Sequence, residues 1–106
     1  YISGQGITPW IGPKLVVLDP GHGGTDPGAV RGTLLEKDIC LDIALRTEAL
    51  LKENGIPVMM TRRDDSTVEL RDRIEEANRQ NAALFVSVHC NWFKDTSLRG
   101  SMTLYQ

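Results

Sequence analysis

Cysteine is scarce in this chain of 106 residues: only Cys40 and Cys90 occur. Two thiols are too few for a disulfide scaffold, so they say nothing of the redox compartment. Long hydrophobic runs are missing as well. None approaches the roughly 20 residues needed to cross a bilayer, and a basic-plus-apolar leader is not expected among these residues. The chain opens on Tyr rather than Met, as expected of a processed or excised piece. Excess charge is absent too: 12 basic and 14 acidic side chains leave a formal charge of -2, which gives no electrostatic reason to expect a nucleic acid or an anionic membrane as partner. There is no internal repeat and no low-complexity segment. A hydrophobic content of 41% over this length suits one compact domain.

Residues 1–13, YISGQGITPWIGP, mix glycine and proline with isolated apolar residues and are expected to form a linker or arm. From Lys14 the order expected is β–α–β–α–β–β. KLVVLD (14–19) is a β-branched, apolar run stopped by Pro20-Gly21, as in a central strand covered on both faces. Glu36 to Asn54 is helical in pattern, with Leu35, Ile39, Ile43 and Leu50 in one apolar row, Cys40, Ala44 and Leu51 in the next, and Gly55 to close it. IPVMMT (56–61) reads as a second strand. Ser66 and Glu69 fit a capping box opening a helix over about 67–80, with Leu70, Ile74 and Ala77 inward and Asp72, Arg73, Glu75 and Glu76 outward. ALFVSVHCN (83–91) reads as a third strand and SMTLYQ (101–106) as a fourth. Such alternation implies an α/β fold: a mainly parallel sheet with helices on both faces, a three-layer αβα arrangement.

In such sheets sites form beyond the carboxyl ends of the strands, where both histidines fall. His22 sits in the glycine-rich GHGGTDPG loop after the first strand, His89 near the end of the third, and Glu36 in the first turn of the helix that the loop feeds. Two imidazoles and one carboxylate make a zinc-type ligand set with a fourth position left for water or substrate. Separations of 14 and 53 residues exclude the helical HExxH pattern, so the argument rests on topology. Each residue also has a plainer role: His22 as a local backbone cap, Glu36 as a charge at a helix start, His89 as a half-buried histidine. The loop lacks GxGxxG spacing and a Walker lysine, which sets phosphate binding aside. Its glycines instead permit positive φ and close approach of His22 to an ion.

VVLDPGHGGTDPGA, LEKD, MMTRRDD, LRDRIEEAN and LFVSVHCN, in this order, resemble the zinc-dependent N-acetylmuramoyl-L-alanine amidases that cleave bacterial peptidoglycan. The likeness runs from about Lys14 to Gln106, so that 14–106 is expected to be an amidase catalytic domain lacking its C-terminal portion. The resemblance implies that His22, Glu36 and His89 bind zinc. It implies hydrolysis of the amide between N-acetylmuramic acid and the L-alanine of the stem peptide, with zinc polarising the carbonyl and lowering the pKa of bound water. It further implies export to the cell wall or the medium, with peptidoglycan as partner. Family members carry their general base on a second glutamate in a late strand that is not among these residues, so the catalytic base here is unknown and slow turnover is expected. A zinc-bearing wall-binding module without catalysis and a zinc exopeptidase are the alternatives.

Other polar residues carry smaller expectations. Asn91 is expected to support substrate binding or to be a plain strand-end amide. Asp19 and Asp26 lie beside His22, Asp26 also suiting a turn, and neither is assigned as base. Arg62 and Arg71 are expected in ion pairs. Cys40 and Cys90 are expected to be inert thiols, and Trp92 to shape a groove or cover the core.

Overall fold

The computed structural model describes residues 14–91 and 100–104. The expected arm over 1–13 and Trp92 lie outside the described residues. Strand β1, Val16–Pro20, is followed by a small hairpin of β2, Val30–Arg31, and β3, Leu34–Leu35; then come helix α1, Glu36–Glu53, strand β4, Val58–Met60, helix α2, Leu70–Arg79, and strand β5, Leu84–Val88. The sheet order is β4-β1-β5, parallel throughout, with Val16 opposite Val58 on one side and Leu84 on the other. The chain leaves β1 through α1 for one edge and returns through α2 to the opposite edge. Right-handed crossovers in opposite directions put the two helices on opposite faces, the expected layering. Val17 and Leu18, 0% and 1% exposed, fill the centre.

The hairpin β2–β3 was not expected; it is two residues long on each side, too short to show an alternating pattern. Residues 101–104, two thirds of the expected fourth strand, are exposed and form no strand, having no hydrogen-bonded partner among the described residues; Tyr105 and Gln106 lie outside them.

Each helix buries only part of its expected apolar face. On α1 the buried residues are Glu36, Cys40, Ala44 and Glu48, one row at i, i+4 spacing, whereas Ile43 and Leu50 stay exposed. The small Cys40 and Ala44 let the helix approach the sheet closely, and Glu36 at its start is held from both sides by backbone amides. Helix α2 begins at Leu70, not 67, and its N-cap Glu69 has no side-chain capping bond. The capping box does not form because residues 65–67 brace the loop after β1 instead: Gly24 N donates to Asp65 Oδ1 at 2.7 Å and Thr25 N to Thr67 Oγ1 at 3.0 Å. Arg73 and Ala77 face inward on α2, while Leu70 and Ile74 are exposed.

Ion-paired carboxylates make the fold acid-sensitive. Glu48 is ion-paired with Arg63 and with Lys52; burial pushes its carboxyl up, but hydrogen bonds from these two cations prevail and hold it below the usual 4.5. The Lys37 ammonium, 2.9 Å away, and the Gly24 N–H likewise hold Asp65 below 3.8. A carboxylate with a depressed folded pKa contributes stability that is complete above its unfolded value and lost as pH falls through the folded one. The melting temperature is therefore expected to be flat down to about pH 5 and to fall below about pH 4, with a shallower fall in Glu48→Gln. Circular dichroism melts across pH check this; a melting temperature that rises on acidification contradicts it.

Candidate metal centre

Strand β1 ends at Pro20, and Gly21 N donates to Val88 O at 2.9 Å, which aligns the carboxyl ends of β1 and β5. His22 and His89 thereby reach the same sheet edge. A Cβ on Gly21 would stand 2.4 Å from His89 Cε1, so only glycine leaves room for that ring. His22 itself has φ of 63°, a left-handed conformation that costs a residue with a Cβ of order 1 kcal/mol. The tight turn that follows, with Gly23 and Asp26 exchanging backbone hydrogen bonds, holds it there.

Glu36 is the first residue of α1 and lies between the two rings. Its Oε2 is 3.1 Å from His22 Nε2 and 3.3 Å from His89 Nδ1, and one donor atom from each residue falls within 4.8 Å of the others. Zinc at about 2.0–2.2 Å from each of its tetrahedral ligands spaces them roughly 3.3 Å apart, which the two measured separations match. Ala29 N donates to Oε1 at 2.9 Å and Cys90 N to Oε2 at 2.8 Å. Burial raises the Glu36 carboxyl, but these two amides, the His22 charge and the His89 hydrogen bond together hold it below 4.5. The site is built to keep a carboxylate.

Asp26 explains the orientation of His22. Its Oδ2 lies 2.8 Å from His22 Nδ1, and its Oδ1 accepts from Gly28 N at 3.0 Å, so it both forms the expected turn and orients the ring. The His22 bond, then the Gly28 bond, hold its carboxyl below the usual 3.8. With Nδ1–H donated to Asp26, Nε2 faces the Glu36 carboxylate, and a neutral ring does so with a lone pair. Two acceptors at 3.1 Å need a cation or a proton between them. The donor set thus fits a metal ion, and the His–carboxylate arrangement behind it is the one that fixes ligand tautomers in metal sites.

Sequence reasoning placed Arg73 on the outer face of its helix; the structure corrects this. Arg73 is 5% exposed. It donates to Asp19 Oδ1 at 2.9 Å and to the carbonyls of Pro20, His22 and Val68 at 2.6, 2.7 and 2.8 Å. The signal was Asp19, a carboxylate inside an apolar strand, which requires a buried cation. Asp19 also accepts from Thr61 and Ser87 hydroxyls, both at 2.7 Å, so it is fully engaged as a scaffold. Arg62, also buried, donates to the carbonyls of Pro20, Gly21, Lys37 and Asp64, clamping the loop to the start of α1 rather than pairing with a carboxylate. Arg71 is a surface residue paired with Glu75, as expected. Asn91 is exposed and has no hydrogen bond to the cluster among the described residues. Both cysteines are free thiols; burial, then the neighbouring Cys90 and Glu36, push Cys40 up to about 12.

Known proteins resemble this chain in both sequence and fold. Residues 16–106 match the family described as N-acetylmuramoyl-L-alanine amidase. The germination-specific N-acetylmuramoyl-L-alanine amidase of Bacillus subtilis is 38% identical over 114 residues, covering 92% of this chain and 48% of the relative. Among solved structures, the amidase AmiC2 of Nostoc punctiforme superposes with a TM-score of 0.75 at 49% identity, over 79% of this chain and 47% of that one. The catalytic domain of CwlV, from Bacillus (Paenibacillus) polymyxa var. colistinus, gives 0.76 at 39%, over 80% and 49%. The chain thus spans about half the length of these proteins. With a family match over 16–106 and relatives alike in both sequence and fold, this chain belongs to the N-acetylmuramoyl-L-alanine amidase family.

Proposed function

We propose that His22, Glu36 and His89 hold a zinc ion and that the domain hydrolyses the amide between N-acetylmuramic acid and the first L-alanine of the peptidoglycan stem. The observation that carries this is the spacing of 3.1 and 3.3 Å between Glu36 Oε2 and the two imidazoles, the edge length of a zinc tetrahedron, in a chain of an amidase family. When bound, zinc in such a site polarises a carbonyl and makes water a nucleophile near neutral pH. The chain's own residues supply the rest. Asp26 keeps the His22 tautomer, Ala29 N and Cys90 N keep Glu36 ionised, and the bracing of the loop by Arg62 and Arg73 holds the three donors together. Such a substrate places the protein outside the cytoplasm, at the wall or in the medium.

Turnover by these 106 residues is expected to be slow. A proton must leave the water and another must reach the departing amine, and the two carboxylates nearest His22 in sequence, Asp19 and Asp26, are both committed to hydrogen bonds. The test is release of free L-alanine amino groups from purified peptidoglycan by the zinc-loaded chain, beside a complete amidase and a chelated control. Zinc-dependent release well below the complete enzyme is expected. Equal rates overturn the impairment, and cleavage between peptide residues overturns the bond assigned. Retention on insoluble peptidoglycan with no release at all points to a wall-binding module.

The role of Asp26 is separable. Asp26→Asn keeps the turn but weakens its hold on His22, so zinc affinity is expected to fall roughly 10–100-fold, measured by competition with a chromophoric chelator. Unchanged affinity removes Asp26 from the support of the site.

A further inference from the structure

Behind the candidate metal centre lie two thiols that the proposed reaction does not use. Cys40 is on the inward row of α1, one turn beyond Glu36, and is 0% exposed. Cys90 follows His89 beyond β5, is only half-buried, and donates its N–H to Glu36 Oε2. One sulfur from each and a Glu36 carboxylate oxygen all lie within 4.8 Å of one another.

We infer that Cys40 and Cys90 are a disulfide-forming pair, a covalent latch that ties the carboxyl end of β5 to α1 beside two of the three candidate metal ligands. Disulfide closure brings sulfurs to about 2.05 Å, so less than about 3 Å of movement is needed, which a change of side-chain rotamer at the less confined Cys90 supplies. The order of steps follows from exposure. The Cys90 thiolate attacks one sulfur of an external disulfide, releasing that partner's thiolate and forming a mixed disulfide. Cys40 then passes its proton to the thiolate already released as its sulfur attacks Cys90 Sγ, expelling the second thiol. Two protein thiols and one external disulfide become one protein disulfide and two external thiols, with no net proton exchange.

The same three groups also have the spacing of a soft-metal site. A divalent metal there needs two thiolates beside the Glu36 carboxylate, which leaves the group net negative even with the ion's charge counted, in a space where Cys40 is wholly enclosed. A disulfide carries no charge and suits that enclosure. It also joins positions 50 apart in sequence, 40 and 90, a loop long enough to remove much of the unfolded chain's freedom.

The experiment equilibrates the full chain, with and without zinc, in mixtures of reduced and oxidised glutathione, followed by alkylation, intact mass and peptide mapping. The expected product is a monomer lighter by two hydrogens, with the Cys40 and Cys90 peptides linked, reversible by dithiothreitol, and a melting temperature several degrees above the reduced form. Cys90→Ser is expected to leave Cys40 free in the same mixtures. Both thiols persisting under strong oxidation overturns the pairing. So does stable glutathione on Cys90 with Cys40 alkylated, or disulfide-linked dimers. Cadmium uptake by the two thiols in a chain that never forms the bond overturns it in favour of a soft-metal site. These readouts are of thiols alone, so their failure leaves the hydrolytic reading intact.

Discussion

Glu36→Gln is expected to abolish zinc uptake at micromolar metal, a loss well beyond the roughly 10–100-fold that a supporting residue controls. Two effects act together. The substitution removes the one anionic donor of the set, leaving two imidazoles whose separation no longer has a carboxylate to span it. It also places an amide NH2 where one of two carboxylate oxygens accepted a backbone N–H, from Ala29 or from Cys90, so one donor must face another. Equilibrium dialysis with metal analysis checks the first effect, and circular dichroism shows whether the chain still folds. Asp38→Asn, an exposed residue in the same turn, is the control and is expected to bind as the parent does. Parental affinity in Glu36→Gln removes Glu36 from the ligand set and with it the proposed function.

Arg73→Met is expected to cost about 3–5 kcal/mol of folding stability, the range for removing one partner of a buried ion pair. Asp19, 2% exposed, would keep its two hydroxyl donors but lose its cation, and the carbonyl of His22 would lose the guanidinium that holds it at 2.7 Å. In a domain of this size the melting temperature is expected to drop by more than about 10 °C. Arg71→Met, two positions earlier, removes only a surface pair with Glu75 and is expected to change stability by no more than about 1 kcal/mol. Thermal melts of the two variants side by side make the comparison. Equal effects would show that burial of Arg73 is not what stabilises the loop. Because Arg73 holds the backbone of His22, its loss is also expected to loosen the candidate site in whatever fraction remains folded.

The parts of the fold read correctly from sequence are those with a strong local period or a stop signal. Helix α1 begins at Glu36 as expected, β4 and β5 fall within the expected runs, and β1 runs one residue past its expected end, with Pro20 still paired to Val88. Misreadings arose where two local signals competed. On α1 the row of larger apolar residues through Ile43 and Leu50 is outward and the row of small residues through Cys40 and Ala44 is inward. A helix start at Ser66 was overridden because Asp65 and Thr67 bond to the glycine loop, contacts about 40 residues distant in sequence. The double duty of Asp26 and the burial of Arg62 were likewise invisible, since each depends on partners brought together only by folding.

From its sequence alone this chain determined a parallel α/β core with two histidines at strand ends and one glutamate at a helix start, because strand, turn and helix signals are local and a parallel sheet gathers its strand ends on one edge. Only the tertiary structure decided which helix faces turn inward, that Asp19 and Arg73 share a buried pair, and that Glu36 Oε2 lies 3.1 and 3.3 Å from the two imidazoles. Those outcomes depend on packing and desolvation between segments far apart along the chain, where no local pattern records the partner.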